Sequence, residues 1–302
     1  MTPTERDFLY KMLKDRSGLV LTGEKDYLVE SRLMPIARRN SESSISGLIS
    51  LIQRPGSEAV KKEITEAMTT NESFFFRDKT PFQHFNETMM PGLLAARKSE
   101  RRIRIWCAAA STGQEPYSLA ISLKEMSQQL AGWRVEIVGT DISSEVLEKA
   151  KTGLYSQFEV QRGLPIRMLT SYFTQVGDMW QLDASIRSMV QYREYNLLDD
   201  LRSLGKFDIV FCRNVLIYFD QATKTRILDS IANQISHDGY LVLGAAETVL
   251  GLTKQFSTIS GKRGLYEREA GAAAKPPGEG AAAPSNGVTS ISAPTRIAAS
   301  AR

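Results

Sequence analysis

Hydrophobic and polar positions follow two different patterns along this chain. Up to about residue 70 the apolar residues recur at helical spacing, as in TERDFLYKMLKDRSG, a helix predicted to end at Gly18. Pro35 falls inside the next helical pattern, EKDYLVESRLMPIARRN, and is predicted to kink or divide that helix. Because residues 1–70 contain no strand pattern, we predict a small all-α domain there, followed by a linker over residues 71–99.

From residue 100 onward, strand patterns alternate with helical patterns. The segments are RIRIWCAA, EPYSLAISLKEMSQQL, VEIVGTD, SSEVLEKAKTG, FDIVFCRN, QATKTRILDSIANQI and GYLVLGAAE. Near-continuous apolar strands such as FDIVFCRN are typical of a sheet covered on both faces. We therefore predict an α/β fold with a doubly wound parallel sheet over residues 100–268. At about residues 172–195 the alternation breaks, and turns at Gly177 and Asp183 predict a small antiparallel β insertion.

Composition further limits the classes of protein to which this chain can belong. Residues 269–302 are rich in Ala, Gly, Pro, Ser and Thr and are predicted to be a disordered tail. No apolar run is long enough to cross a bilayer, and the N-terminus lacks the apolar core of a secretory signal. Cys107 and Cys212 fall in predicted buried strands, which favours a reduced cytoplasmic protein without a disulfide framework. Because His84 and His237 lie far from both cysteines in the sequence, no metal site is predicted.

Basic side chains are clustered, although the net charge is only +4, from 38 basic and 34 acidic residues. Between residues 31 and 62 there are six basic residues against two acidic ones, and residues 97–104 contain a second basic cluster. Such clusters attract anionic partners, either nucleic acid or an acidic protein surface. Solvated helix faces without any partner carry the same pattern, so both interpretations stand.

The stretch WCAAASTGQEPYSLA, residues 106–120, runs from a predicted strand into a helix, where α/β proteins bind nucleotides. The glycine pattern G-x-G-x-x-G that holds a pyrophosphate is absent, and only Gly113 lacks a side chain. Glu115 would repel a phosphate at this helix start and attract an ammonium group. The alternative is structural, because Thr112 and Glu115 have the spacing of a capping box.

Asp141 ends the second predicted strand, where a carboxylate can accept hydrogen bonds from two ribose hydroxyls. The alternative is an acid at the start of the helix that begins near Ser143. An adenosyl group with a positively charged amino-acid tail fits both Asp141 and Glu115 better than a dinucleotide does. We therefore predict that the cofactor is S-adenosylmethionine.

Two further segments carry candidate site residues. Arg77 lies in NESFFFRDKTPF, residues 71–82, the segment that connects the helical region to the sheet. It is either a surface arginine or a residue that faces the cleft between the two regions. In CRNVLIYF, Asn214 and Tyr218 follow a buried strand, although Tyr218 would also suit the core below the loop. The D/N-P-P-Y/F motif that enzymes methylating amino nitrogens of bases carry here is absent.

Taken together, the segments TTNESFFFRD, AAASTGQEPYSLA, GTDIS, NLL, FDIVFCRNVLIYF and GAAET resemble the chemotaxis receptor methyltransferases (CheR). Their order and spacing match from about Asn71 to Glu267. The resemblance implies a Rossmann-like methyltransferase domain preceded by an all-α receptor-docking domain. It implies S-adenosylmethionine-dependent methyl esterification of glutamate side chains on the cytoplasmic helices of chemoreceptors, which gives adaptation in bacterial chemotaxis. It also implies a cytoplasmic location at membrane receptor arrays, with no nucleic acid partner and no insertion into the membrane.

The resemblance also assigns residues to roles. Arg77 and Tyr218 are implied to be catalytic. The positions implied to bind the cofactor are Asn71, Ser73, Arg77, Glu115, Asp141, Asn196, Leu197, Arg213 and Asn214. The basic residues implied to dock the receptor are Arg32, Arg38 and Arg39.

The sequence departs from the family pattern in three places. Gln114 stands where many members have a second glutamate, which removes any acidic role for that position. Pro35 interrupts the basic docking helix. The stretch from Phe173 to Asn196 is shorter than in members that grip a tethering peptide on the receptor tail, so we predict that this chain does not use that peptide.

Three other functions are weighed against this interpretation. A methyltransferase acting on nucleic acid would share the cofactor and suit the positive charge, but a basic groove with stacking aromatic residues is missing. A non-catalytic module that only senses S-adenosylmethionine is disfavoured by the presence of Arg77 and Tyr218. A nicotinamide dehydrogenase is disfavoured by the loop that lacks glycines.

Overall fold

The computed structural model describes residues 1–269, and the predicted tail lies almost wholly outside the described residues. The N-terminal region is helical and contains α1 (Pro3–Ser17), α2 (Asp26–Arg39), α3 (Ile45–Ile52) and α4 (Glu58–Met68). Apolar residues from all four helices form one buried cluster. As predicted, α1 ends at Gly18, which has a φ of 77° and donates its amide hydrogen to the Lys14 carbonyl. Glycine reaches this left-handed conformation without the strain that a Cβ introduces.

Pro35 was predicted to kink or divide the second helix, and division is wrong. A single helix, α2, continues through Pro35 to Arg39. Proline cannot donate a hydrogen bond to the carbonyl four residues earlier, which belongs to Ser31. Both Ser31 and Pro35 are exposed, so water can hydrate that carbonyl and the helix persists.

The segment predicted as a linker is largely helical. It forms α5 (Thr80–His84), a π-helical turn (Phe85–Met89) and α6 (Met90–Ala96). Phe82, Phe85 and Leu93 from this segment are buried in the main hydrophobic core beside the sheet. The burial of these apolar side chains explains why the segment is helical. The sequence interpretation overlooked the helical spacing of its apolar residues.

The α/β prediction is confirmed by a seven-stranded sheet with the strand order β6-β2-β1-β7-β8-β10-β9. The strands are β1 (Arg102–Ala108), β2 (Arg134–Asp141), β6 (Val190–Glu194), β7 (Phe207–Cys212), β8 (Ile235–Leu243), β9 (Phe256–Thr258) and β10 (Leu265–Arg268). The first five are parallel to one another, and β10 runs antiparallel to both β8 and β9. The chain adds strands on one side of β1 and then returns to the other side with β7. The crevice that α/β sheets use for ligands therefore lies beyond the carboxyl ends of β1 and β7.

Helices cover both faces of this sheet. They are α7 (Gln114–Glu125), α8 (Ser144–Thr152), α11 (Ala184–Arg187) and α12 (Gln221–Ala232). Along β1 the side chains alternate between two cores, with Ile105 and Cys107 in one and Trp106 and Ala108 in the other. This two-residue period is what a strand buried on both faces requires.

A smaller antiparallel sheet is present, but its boundaries differ from the predicted 172–195. It has the order β3-β5-β4 and contains β3 (Leu154–Ser156), β4 (Phe173–Val176) and β5 (Met179–Leu182), with α9 (Gln157–Gln161) and α10 (Ile166–Tyr172) between the first two strands. The hairpin turn at Gly177 is as predicted. Asp183 instead caps α11, and residues 190–194 pair with β2 as an edge of the main sheet. Strand β3 is only three residues long, too short for its alternation to be recognised.

Candidate functional site

A cavity of about 990 Å³, including its open mouth, lies at the carboxyl ends of the parallel strands. It is lined by all the residues that the sequence marked for the cofactor or for catalysis, namely Asn71, Ser73, Arg77, Glu115, Asp141, Asn196, Leu197, Arg213, Asn214 and Tyr218. The N-terminal helical region supplies part of the wall through Ser17 and Leu19, which the sequence interpretation missed.

The loop after β1 is held close to the end of β2. The amide groups of Ala109 and Ala110 both donate to the carbonyl of Thr140, at 2.9 and 2.8 Å. Gly113 has a φ of 93°, and a Cβ at this position would lie 2.7 Å from the hydroxyl oxygen of Tyr192. Glycine is therefore required at position 113 for both backbone and steric reasons.

Glu115 faces the cavity and does not form the capping box considered from the sequence. Gly113 caps α7 without a side-chain hydrogen bond, and the Thr112 hydroxyl contacts Gln114 instead. The Glu115 carboxylate accepts a hydrogen bond from Arg213 at 2.8 Å. Burial raises the pKa of Glu115 above its ordinary value of 4.5, and the positive charge of Arg213 opposes that rise.

Arg213 joins three parts of the site. Its guanidinium donates to Glu115, to the backbone carbonyl of Arg77 at 2.9 Å and to the Asp78 carboxylate at 2.7 Å. Its side chain is only 2% exposed. These contacts leave Arg213 acting on a ligand mainly through the residues that it orients.

Asp141 binds backbone amides at the start of α8 and lines the cavity as well. Its carboxylate accepts hydrogen bonds from the backbone amides of Ser111 at 2.9 Å and Ser143 at 3.0 Å, one on each oxygen. A carboxylate has about four acceptor positions, so two remain for ligand hydroxyls. Burial raises the pKa of Asp141, while the two amides lower it. Further hydrogen-bond donors from a ligand would stabilise the ionised form of this buried carboxylate.

The segment from Asn71 to Arg77 crosses the opposite wall. The Asn71 carbonyl accepts from the Ser111 hydroxyl at 2.7 Å, which joins this segment to the loop after β1. The Arg77 guanidinium donates to the Glu72 carbonyl at 2.9 Å and lies 5.4 Å from the centre of the Phe74 ring. Arg77 therefore faces the cavity and is not an isolated surface residue.

Contacts from the N-terminal region reach Asn196 and Tyr218. The Asn196 side-chain amide donates to the Arg16 carbonyl at 2.6 Å, and the Val20 amide donates to the Tyr218 carbonyl at 3.0 Å. The Tyr218 side chain packs against the hydrophobic cluster of the N-terminal helices. Tyr218 therefore lines the cavity and also packs in a core, and its catalytic role stays a prediction.

Glu247 organises the loop after β7, a role that the sequence interpretation did not assign. It is 9% exposed and accepts hydrogen bonds from five backbone amides. At 2.7 to 3.3 Å, Oε2 accepts from Gly244 and Asn214, and Oε1 accepts from Val215, Leu216 and Ile217. Asn214 has a φ of 57°, a conformation that these contacts help to maintain. In the sequence, the acidic residue of the GAAET segment could have indicated this role.

The three basic residues of α2 have different surroundings. Arg32 donates to the carbonyls of Met68 at 2.9 Å and Thr69 at 2.8 Å, so it caps the end of α4. Arg39 is exposed and pairs with Glu63, whereas Arg38 is exposed with no ion pair among the described residues. Arg32 is thus engaged within the helical region, whereas Arg38 and Arg39 are exposed.

The second basic cluster is mostly paired within the described residues. Arg97 binds Asp208 and Asp238, and both Arg102 and Arg104 bind Glu136. This pairing favours the structural interpretation of residues 97–104 over an anion-binding patch.

The donor and acceptor groups around the cavity fit S-adenosylmethionine. Asp141 has free acceptor positions for a ribose, and Glu115 and Arg77 offer opposite charges to an ammonium and a carboxylate. Among residues 1–269, no group of three His, Cys, Asp or Glu side chains is arranged to hold a metal ion. No helix in the same range is long and apolar enough to span a membrane.

Comparison with known proteins gives the family. Residues 5–69 match the family described as CheR methyltransferase, all-alpha domain, and residues 71–265 match CheR methyltransferase, SAM binding domain. The chemotaxis protein methyltransferase of Vibrio parahaemolyticus is 37% identical over 263 residues, which cover 86% of this chain and 94% of that protein. Chemotaxis protein methyltransferase 1 of Pseudomonas aeruginosa is 39% identical over 276 residues, which cover 89% and 99%.

The chemotaxis protein methyltransferase of Borreliella burgdorferi is 32% identical over 258 residues, which cover 83% of this chain and 90% of that protein. The family matches extend over both the helical region and the sheet, and the matched SAM-binding domain contains most of the residues that line the cavity. The chain therefore belongs to the CheR methyltransferase family, and its cofactor is S-adenosylmethionine.

Proposed function

We propose that this enzyme methylates glutamate side chains on the cytoplasmic helices of chemoreceptors, forming γ-methyl esters that give adaptation in chemotaxis. The relatives named chemotaxis protein methyltransferase support this proposal. The observation that carries it is the placement of the acids Glu115 and Asp141 in one cavity with Arg77. That arrangement suits an adenosyl group with an amino-acid tail and disfavours a pyrophosphate.

Each part of the cofactor has a candidate partner. Asp141 accepts from the ribose hydroxyls, and Glu115 accepts from the ammonium group. Arg77 either anchors the cofactor carboxylate or steadies the incoming glutamate. The remaining contacts come from Asn71 and Ser73 near the methionine end, from Asn196 and Leu197 beside the adenine, and from Asn214 and Arg213 in the loop beneath it.

The chemistry requires alignment more than proton transfer. S-adenosylmethionine supplies a methyl group bonded to a positively charged sulfur. A glutamate carboxylate is already ionised near pH 7, so this chain needs no general base to activate it. Tyr218 packs beside the reacting centre and limits the directions of approach. Such positioning contributes up to roughly 7–11 kcal/mol to catalysis in favourable cases.

Receptor docking is proposed to involve Arg38 and Arg39 on α2, because both are exposed. Attraction to acidic receptor helices raises the association rate and weakens as ionic strength rises. The proposed location is the cytoplasmic face of receptor arrays. Independence from a tethering peptide stays a prediction, and a titration with that peptide tests it: measurable binding would contradict it.

The direct test uses methyl-labelled S-adenosylmethionine with receptor cytoplasmic fragments and, in parallel, RNA. Label that appears on the receptor, is released by mild base and maps to glutamate by mass spectrometry is the expected result. Label on RNA, or a base-stable label on protein, would contradict the proposal.

A further inference from the structure

The segment that presents Arg77 to the cavity is built into the core of the small sheet. Phe75 is fully buried, with its ring 5.0 Å from that of Tyr155 in β3 and 5.6 Å from that of Phe173 in β4. Tyr155 also donates to the carbonyl of Thr112, in the loop after β1, at 2.8 Å. The small sheet therefore supports both the Arg77 segment and the loop after β1.

Arg162, which follows α9, contacts the same segment from outside the cavity. It donates to the Glu72 carboxylate at 2.6 Å, and its guanidinium carbon lies 4.3 Å from the centre of the Phe74 ring. Arg77 uses the same two residues, through the Glu72 carbonyl and the Phe74 ring. Two guanidinium groups thus share one aromatic ring and one glutamate, each bound to a different part of that glutamate.

Close packing fixes where Arg162 sits. Gly163 has a φ of 89°, and a Cβ there would lie only 2.0 Å from the Phe75 carbonyl oxygen. The chain at positions 162 and 163 is therefore pressed against the backbone of the Arg77 segment. Arg162 itself does not line the cavity, so any effect on the reaction passes through its neighbours.

We propose that Arg162 is a positioning residue that keeps the Glu72 carboxylate away from Arg77. While Arg162 holds that carboxylate, Arg77 binds only the Glu72 carbonyl and its guanidinium stays directed at the cavity. Without Arg162 the carboxylate is free to pair with Arg77, five residues along the chain, and draws it away from cofactor and substrate. This inference rests on the proposed role of Arg77 in methyl transfer.

The test is a pair of variants with opposite expectations. Arg162→Ala should lower kcat/KM for methyl transfer about two- to fivefold, the range of one surface ion pair. Glu72→Gln in the Arg162→Ala background removes the competing charge and should restore the rate. A merely structural ion pair predicts no rescue, because the double variant also lacks that pair. Arg167→Ala is the matched control, since Arg167 is exposed, lies in α10 and pairs with Glu125.

A second readout does not depend on turnover. The side-chain Nε–H resonance of Arg77 in the ligand-free protein should shift in Arg162→Ala and return in the double variant. The dissociation constant of S-adenosylhomocysteine, measured by calorimetry, should follow the same order if Arg77 contacts the cofactor. Wild-type rates and an unshifted Arg77 resonance in Arg162→Ala, or a loss that Glu72→Gln does not reverse, would overturn the inference. If Arg77→Ala itself retains wild-type turnover, the proposed role of Arg77 fails instead.

Discussion

The carboxylate of Glu115 and the guanidinium of Arg213 form a buried ion pair with a separation of 2.8 Å. Arg213 also holds Asp78 and the backbone of Arg77, so this pair connects the start of α7 with the segment on the opposite wall. Breaking a buried pair leaves an uncompensated charge, which is why both partners matter for the shape of the cavity. The same pair sets the charge that a ligand ammonium group meets.

Glu115 predicts a pH dependence of ligand binding. Its pKa in the folded protein lies above 4.5, so the free protein carries a proton on Glu115 as the pH falls toward 4.5. A ligand ammonium group favours the ionised form, so affinity should fall as the pH drops through the raised pKa. In Glu115→Gln, affinity for S-adenosylhomocysteine should be about 10- to 100-fold weaker at neutral pH.

The Glu115→Gln variant should also show a shallower pH dependence, and the slope that remains belongs to Asp141, whose pKa is raised as well. Calorimetry between pH 5 and pH 8 would measure both effects. An unchanged slope in Glu115→Gln would exclude Glu115 as the titrating partner.

Arg77 is expected to affect turnover much more than stability. Arg77→Ala should lower kcat/KM about 10- to 100-fold, since charge-assisted hydrogen bonds contribute about 1.5–3 kcal/mol. Its melting temperature should stay within about 2 °C of the wild type, because the side chain is only half-buried and its hydrogen bond goes to a backbone carbonyl. Steady-state kinetics with thermal unfolding on the same preparations measures both. Full activity in Arg77→Ala would remove Arg77 from the mechanism.

Glu247 is expected to affect both stability and cofactor affinity. Glu247→Gln replaces one oxygen by an amide nitrogen that would face backbone N–H groups, leaving at least one buried donor unpaired. We expect the free energy of unfolding to fall by about 1–3 kcal/mol, together with weaker binding of S-adenosylhomocysteine. Glu267→Gln is the control, because Glu267 is exposed on β10. Equal behaviour of the two variants in denaturant unfolding and calorimetry would show that the loop does not depend on Glu247.

Much of the fold and of the site could be predicted because the local sequence patterns agree with the way the segments pack together. Strands such as β7 are buried on both faces, which makes them continuous apolar runs in the sequence. Glu115 lies in the first turn of the helix after β1, and Asp141 ends the neighbouring strand β2, so sheet geometry brings them to the same edge. The resemblance to a family then pointed to the other residues that line the cavity, and their roles stay predictions.

What could not be predicted depends on contacts between segments distant in the sequence. The five amides around Glu247 come together only when the loops after β7 and β8 meet. The capping of α4 by Arg32 could not be foreseen either, because the carbonyls that it binds lie 36 and 37 residues further along the chain. Strand β3 of the small sheet, Leu154–Ser156, is too short to show a two-residue period in the sequence. It is defined by its pairing with β5.

The exposed arginines of α2 predict salt-dependent receptor methylation. Arg38→Glu should lower kcat/KM for receptor fragments about threefold at low ionic strength, the size of a single surface ion pair, with KM carrying the change. The difference should shrink as salt screens the charges. Lys98→Glu makes the same charge change at an exposed position after α6 and should have little effect. Methylation rates that do not vary with ionic strength would contradict docking through α2.

The most direct test of the account is a crystal structure with S-adenosylhomocysteine bound. We expect the ligand across the carboxyl ends of β1, β2 and β7, with its ribose hydroxyls within hydrogen-bond distance of Asp141 and its amino-acid group beside Glu115 and Arg77. A ligand bound elsewhere, or bound in this cavity with Asp141, Glu115 and Arg77 making no contact with it, would contradict the account.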